Sequence, residues 1–142
     1  MTDKSLTARD YPLAETAPDR IAGKGGKTLD QLTLEAAVAG DLSIDDLRIT
    51  EEALIRQAEI ARSVERSALA ENFERAAEMT RLPQEEIMGI YELLRPGRAK
   101  SRDELTEAAE RLRNVHAAPR LAHFVETAAT VYDRRQLYRT RY

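Results

Sequence analysis

Between Thr50 and Thr80 the apolar positions Leu54, Ala58, Ala61, Val64, Ala68, Phe73, Ala76, Ala77 and Met79 recur mostly every three or four residues. That period predicts helix, with one face turned inward over some eight turns. No Gly or Pro interrupts the stretch, so one long helix and two stacked helices both fit it. Leu82 and Pro83 end the run. Pro83, read as the first helical residue, opens a helix lined by Ile87, Ile90, Tyr91 and Leu94, and Pro96 with Gly97 stops it. A further helix starts at a Ser101/Glu104 capping box and points Leu105, Ala108, Ala109, Leu112 and Val115 inward, ending near Pro119. The last runs from Leu121 to about Leu137 with Leu121, Phe124, Val125, Ala128, Val131 and Tyr132 on one side. By their phase, Phe73 and Tyr91 belong to the core.

Upstream the pattern thins. Thr28 and Gln31 have capping-box spacing, Thr33 precedes the short helix LEAAVA closed by Gly40, Ser43 begins a turn, and Thr50 with Glu51 and Glu52 caps the long run. Residues 1–27 carry Pro12, Pro18, Gly23, Gly25 and Gly26 among scattered apolar positions and read as an arm. An extended segment on a partner, anchored by Tyr11, Pro12 and Leu13, and a disordered leader are the two readings of it. No segment alternates with period two. The expected fold is therefore all-α, a compact helical domain over 28–142 with an extended irregular N-terminal arm over 1–27.

Composition narrows the function. One core suits 142 residues. Alanine is abundant and aromatics make up 5%, so each helix face offers little area and a partner's surface has room to add to it. A net charge of −3 disfavours a polyanion ligand. Without cysteine there are no disulfides, thiolate metal sites or thiol nucleophiles. No apolar run approaches the roughly 20 residues that span a bilayer, and the first residues lack the apolar core of a secretory signal. A cytoplasmic setting is expected.

Candidate chemistry is sparse. Gly23 to Thr28 reads GKGGKT, but Ile21 stands where a phosphate loop needs Gly and no strand precedes it. His123 and Glu126 have metal-ligand spacing, with no matching Glu-x-x-His elsewhere. Arg134, Arg135, Arg139 and Arg141 alternate with Tyr138 and Tyr142, a pattern that suits single-stranded nucleic acid, an acidic partner or a solvated helix end.

LAENFERAAEMT (69–80) followed by LPQEEIMGIYELLRPGR (82–98), with DYPLA (10–14), LTLE ending at Glu35, RIT (48–50) and AHFVETAATVY (122–132), resembles in order the small subunit of adenosylcobalamin-dependent diol and glycerol dehydratases. The likeness covers about nine-tenths of the chain. It departs at Gly97, where some relatives carry an aromatic, in the loop before Ser101, and at Pro119. The resemblance implies a noncatalytic subunit that stabilises a heterohexamer with two copies each of large, medium and small chains. It also implies that the substrate and catalytic groups lie in the large subunit and that adenosylcobalamin is held by the large and medium ones. No catalytic, cofactor-binding or metal-binding residue is then expected in this chain. Tyr11, Pro12, Leu13, Phe73, Arg75, Tyr91, Arg95 and Pro96 become the candidate interface or core anchors, and association with a microcompartment is compatible with this reading. The competing class is a stand-alone helical adaptor, or a nucleic-acid-associated module using the Arg-rich tail.

Overall fold

Helices carry the chain, as the periodicity predicts: in the computed structural model, which describes residues 5–138, the order is α1 (Leu13–Thr16), α2 (Leu34–Ala39), α3 (Ile44–Leu47), α4 (Glu51–Ser63), α5 (Ser67–Met79), α6 (Gln84–Leu93), α7 (Arg102–Asn114) and α8 (Pro119–Arg135). Short 3-10 turns at Ala8–Asp10, Pro18–Arg20 and Leu29–Gln31 complete it. Among the described residues the only β pairing is an isolated bridge between Ala22 and Thr28. The fold is all-α. The chain divides into two compact units, Met1–Thr80 and Arg81–Tyr142.

In the first unit the 50–80 stripe is two helices. Val64–Arg66 joins α4 to α5, with Glu65 in the left-handed region at φ 61°. Ala58, Ala61 and Ala70 are buried in the seam and Phe73 packs against them half-exposed. Alanine lets the two helices approach closely. Arg62 bridges them to Glu74 at 2.6 Å.

The expected arm is not confirmed. Its described part does not extend away but lies on α4, where Leu6 and Leu13 are buried with Ile60 and Ile21. The Leu6 amide donates to Glu59 Oε2 at 2.9 Å and the Ala8 amide to Ser63 Oγ at 2.9 Å. Three apolar side chains widely spaced in sequence suffice, because Thr7 and Asp10 cap a tight turn that brings them round. The Tyr11–Pro12 peptide is cis.

The Gly-rich loop wraps a carboxylate. Asp46, 5% exposed, accepts from the Ser43 amide, the Ser43 hydroxyl and Lys27 Nζ, the last at 3.1 Å. Lys27 also donates to the Asp41 carbonyl. A Cβ on Gly23 would stand 2.5 Å from the Asp46 carbonyl oxygen, and one on Gly25 2.0 Å from Asp46 Oδ1. The Ser43 hydrogen bonds and then Lys27 hold the Asp46 carboxyl below its ordinary value.

In the second unit, Leu105, Ala108, Ala109 and Leu112 of α7 meet Ala118, Ala122, Val125 and Ala129 on and just before α8, with Leu82 and Ala99 closing the cluster. Val115–Ala118 joins α7 to α8, and Ala117 takes φ 50°. Arg113 and Glu126 pair across the hairpin at 2.8 Å. The Tyr132 hydroxyl donates to the Leu94 carbonyl, and Tyr138 donates to the Ala129 carbonyl at 3.0 Å.

Several local expectations shift. Pro83 is the N-cap of α6, one residue outside the helix, and α8 begins at Pro119 rather than Leu121. Ser101 caps α7 without a side-chain hydrogen bond, and Glu104 instead accepts from the Lys100 amide. Val115, Phe124 and Tyr91 are exposed, not inward.

Candidate subunit interface

Glu126 is engaged in an ion pair with Arg113 across the α7–α8 hairpin. His123 is exposed, with Nδ1 3.9 Å from Glu126 Oε2. The Glu126 carboxyl is held below its ordinary value, first by the Arg113 hydrogen bond. A carboxylate so engaged is a poor metal ligand or proton donor. Among the described residues no group of three His, Cys, Asp or Glu side chains is placed to hold a metal, and no helix is long and apolar enough to cross a membrane. His116 is half-buried and His123 is exposed.

Of the Arg-rich tail, Arg139, Arg141 and Tyr142 lie outside the described residues. Tyr138 is turned inward, its ring 5.9 Å from that of Tyr132, which leaves it unavailable to stack on a base. The module using this tail loses its aromatic contact there.

The surface is where the molecule is unusual. Among the described residues, fifteen large hydrophobic side chains are exposed, against eight buried ones larger than alanine. Single exposed apolar residues are ordinary, and it is contiguous apolar faces that serve as interaction surfaces. The first unit contributes α2, which buries no residue and leaves Leu34 and Val38 75% and 81% exposed. Ile44 and Leu47 of α3 and the following Ile49 are exposed as well. In the second unit, Met88 and Tyr91 stand outward on α6, three residues apart and thus on one face.

The candidate anchors separate accordingly. Leu13 is buried and Pro12 half-buried in the N-terminal cluster region, while the Tyr11 ring is exposed. Phe73 edges the α4–α5 seam. Arg75 hydrogen-bonds Asn72 on its own helix. Tyr91, Arg95 and Pro96 are on the surface together, with Arg95 Nη1 3.0 Å from Glu92 Oε1. Aromatic and Arg side chains so presented are the types that carry interface energy. Sequence reasoning passed over Leu34, Val38, Ile44 and Leu47. The signal that marks them is a six-residue helix too short to persist on its own, with apolar residues four apart and nothing nearby to bury them.

The comparisons agree with a subunit. The family model described as "Dehydratase small subunit" matches residues 6–139. The propanediol dehydratase small subunit of Citrobacter freundii is 45% identical over 127 residues, covering 89% of this chain and 73% of that relative. The propanediol dehydratase small subunit of Salmonella typhimurium strain LT2 is 42% identical over 135 residues, covering 95% of this chain and 78% of that relative.

Proposed function

The chain belongs to the dehydratase small-subunit family, and from that membership we propose that it is the noncatalytic small subunit of a propanediol-type dehydratase, a lyase that turns a 1,2-diol into an aldehyde and water. The match over residues 6–139 carries the reading, and the excess of exposed over buried large apolar side chains supports it. The partners are a large and a medium subunit, two copies of each chain in a heterohexamer. Adenosylcobalamin supplies the radical chemistry when bound and sits with the large and medium subunits, which also hold the substrate. This chain contributes surface rather than reacting groups, and it acts in the bacterial cytoplasm.

Co-expression with the large and medium subunits tests the reading. The expected result is one complex that retains this chain through size exclusion and dehydrates 1,2-propanediol only when adenosylcobalamin is added. Equal activity and stability of the large–medium assembly without this chain would overturn it.

A further inference from the structure

We propose that the outward faces of α2 and α3, Leu34, Val38, Ile44 and Leu47 with the adjoining Ile49, form a docking strip for a non-identical dehydratase subunit whose matching surface is apolar and edged with Arg and Lys. The inference rests on the subunit reading above and adds to it the face used and the chemistry of what covers it.

The strip is built but not used within the chain. α2 has six residues, properly started by Thr33, whose hydroxyl accepts from the Ala36 amide, and properly ended by Gly40 at φ 80°, yet none of its residues is buried. Isolated helices of this length do not persist in water, since most helix stability in proteins comes from burying one face. Lys27, holding the Asp41 carbonyl and Asp46, fixes the segment between α2 and α3 from below. The remaining stabilisation has to come from the open side.

Area supports a partner of ordinary size. Fully burying one Leu, Ile or Val side chain removes ~60–120 Å² from water. With exposures from 59% to 81%, the five together offer roughly 300 Å². A standard interface buries ~800 Å² per partner, of which about 60% is apolar, so five residues supply more than half of that apolar area.

Charge selects the occupant. Residues 28–52 contain seven carboxylates and one guanidinium; cations from outside the segment pair with two of them, Lys27 with Asp46 and Arg56 with Glu52. The guanidinium, Arg48, is paired to Asp45 at 2.9 Å. Asp30, Glu35 and Asp41 are exposed in this segment. A second copy of the chain docking on the same strip would set carboxylates against carboxylates, which disfavours association, and anionic polymers or lipid surfaces are repelled for the same reason. A different protein surface with basic side chains around an apolar centre is what fits.

The test uses the full chain co-expressed with the large and medium subunits, comparing wild type with L34S/V38S/I44S, with the charge reversal E35K/D41K, and with M88S/Y91S on α6. Circular dichroism checks that each variant keeps its helices. The triple variant is expected to weaken association by about 100-fold, the charge reversal by about 10-fold at low salt with the deficit shrinking as salt rises, and the α6 variant by less than either. A folded triple variant that assembles like wild type overturns the strip while leaving the subunit reading intact. An unchanged or tighter complex with E35K/D41K overturns the basic-edged partner. A wild-type homodimer that the triple variant dissolves assigns the strip to a second copy and overturns the proposal. Failure of the wild type to form any complex removes the subunit reading itself.

Discussion

The molecule contains two helical hairpins built to the same plan and filled differently. α4–α5 and α7–α8 are each joined by three or four residues, each turns through a left-handed residue that is not glycine, Glu65 or Ala117, and each is crossed by an Arg–Glu pair, Arg62–Glu74 or Arg113–Glu126. The seams differ. α7–α8 fills its centre with Leu105, Leu112 and Val125, the largest fully buried side chains. α4–α5 places alanines there and leaves Phe73 at the edge. The first unit therefore has less apolar surface hidden per helix and compensates with small satellite contacts and a charged lock at Asp46. It is also the unit that displays α2 and α3. On the proposed docking strip, the surface that this unit displays is the part a neighbouring subunit covers.

The contrast can be broken most sharply at Leu112. Leu112→Ala removes a fully buried side chain from the α7–α8 seam and is expected to cost about 3–4 kcal/mol in urea unfolding followed by helix content; a loss under about 1 kcal/mol would mean the seam is not the anchor of its unit. Ala70→Leu inserts bulk into the alanine seam and is expected to destabilise by about 1–3 kcal/mol, since the close approach leaves no room to take it. A neutral or stabilising result would show that seam to be loosely packed. Phe73→Ala is expected to cost about 1–2 kcal/mol, below the 3–5 kcal/mol of a fully buried Phe, because one side of the ring is open. If the same change costs twice as much in the assembled complex, a partner covers that open side.

The smallest effect is read by pH. Asp46 has a folded-state pKa below its ordinary value, chiefly through the Ser43 hydrogen bonds and Lys27. Its contribution is thus present above the ordinary carboxylate range and is lost as pH falls through the lower folded value. Asp46→Asn should flatten the acid limb of a stability–pH curve below that range while leaving its neutral-to-alkaline part parallel to wild type. An unchanged acid limb would place the lock elsewhere.

How much of this was legible varied with the kind of signal. Stops and caps were readable because they depend on single residues: Thr33 and Thr50 accept the amides three residues on, and Gly40 takes the left-handed turn. The break between α4 and α5 was not, because Glu65 adopts a conformation that costs a residue with a Cβ ~1–2 kcal/mol and so carries no sequence mark. Facing was lost where alanine is dense. In α8 the inner line is Ala122, Val125 and Ala129, and the apolar neighbour Phe124 drew the expected face round by one position. Tyr91 was assigned inward on the same logic. The folded-back N-terminal segment escaped because Leu6, Leu13 and Ile21 follow no period. As for the interface, the resemblance pointed to a partner, and residue type drew attention to Tyr91 and Arg95. The α2–α3 strip stayed hidden because exposed leucine and core leucine look alike in a sequence.

The loop around Asp46 constrains the order in which this protein's sequence can change. A methyl group on Gly25 would stand 2.0 Å from Asp46 Oδ1, so Gly25→Ala forces the carboxylate out of the place where Ser43 and Lys27 hold it. Removing the carboxylate first opens that space and leaves Lys27 with the Asp41 carbonyl as its acceptor. Asp46 and Gly25 are thus coupled, the glycine being exchanged at least cost once the acid has gone, whereas Lys27 keeps its bond to the Asp41 carbonyl.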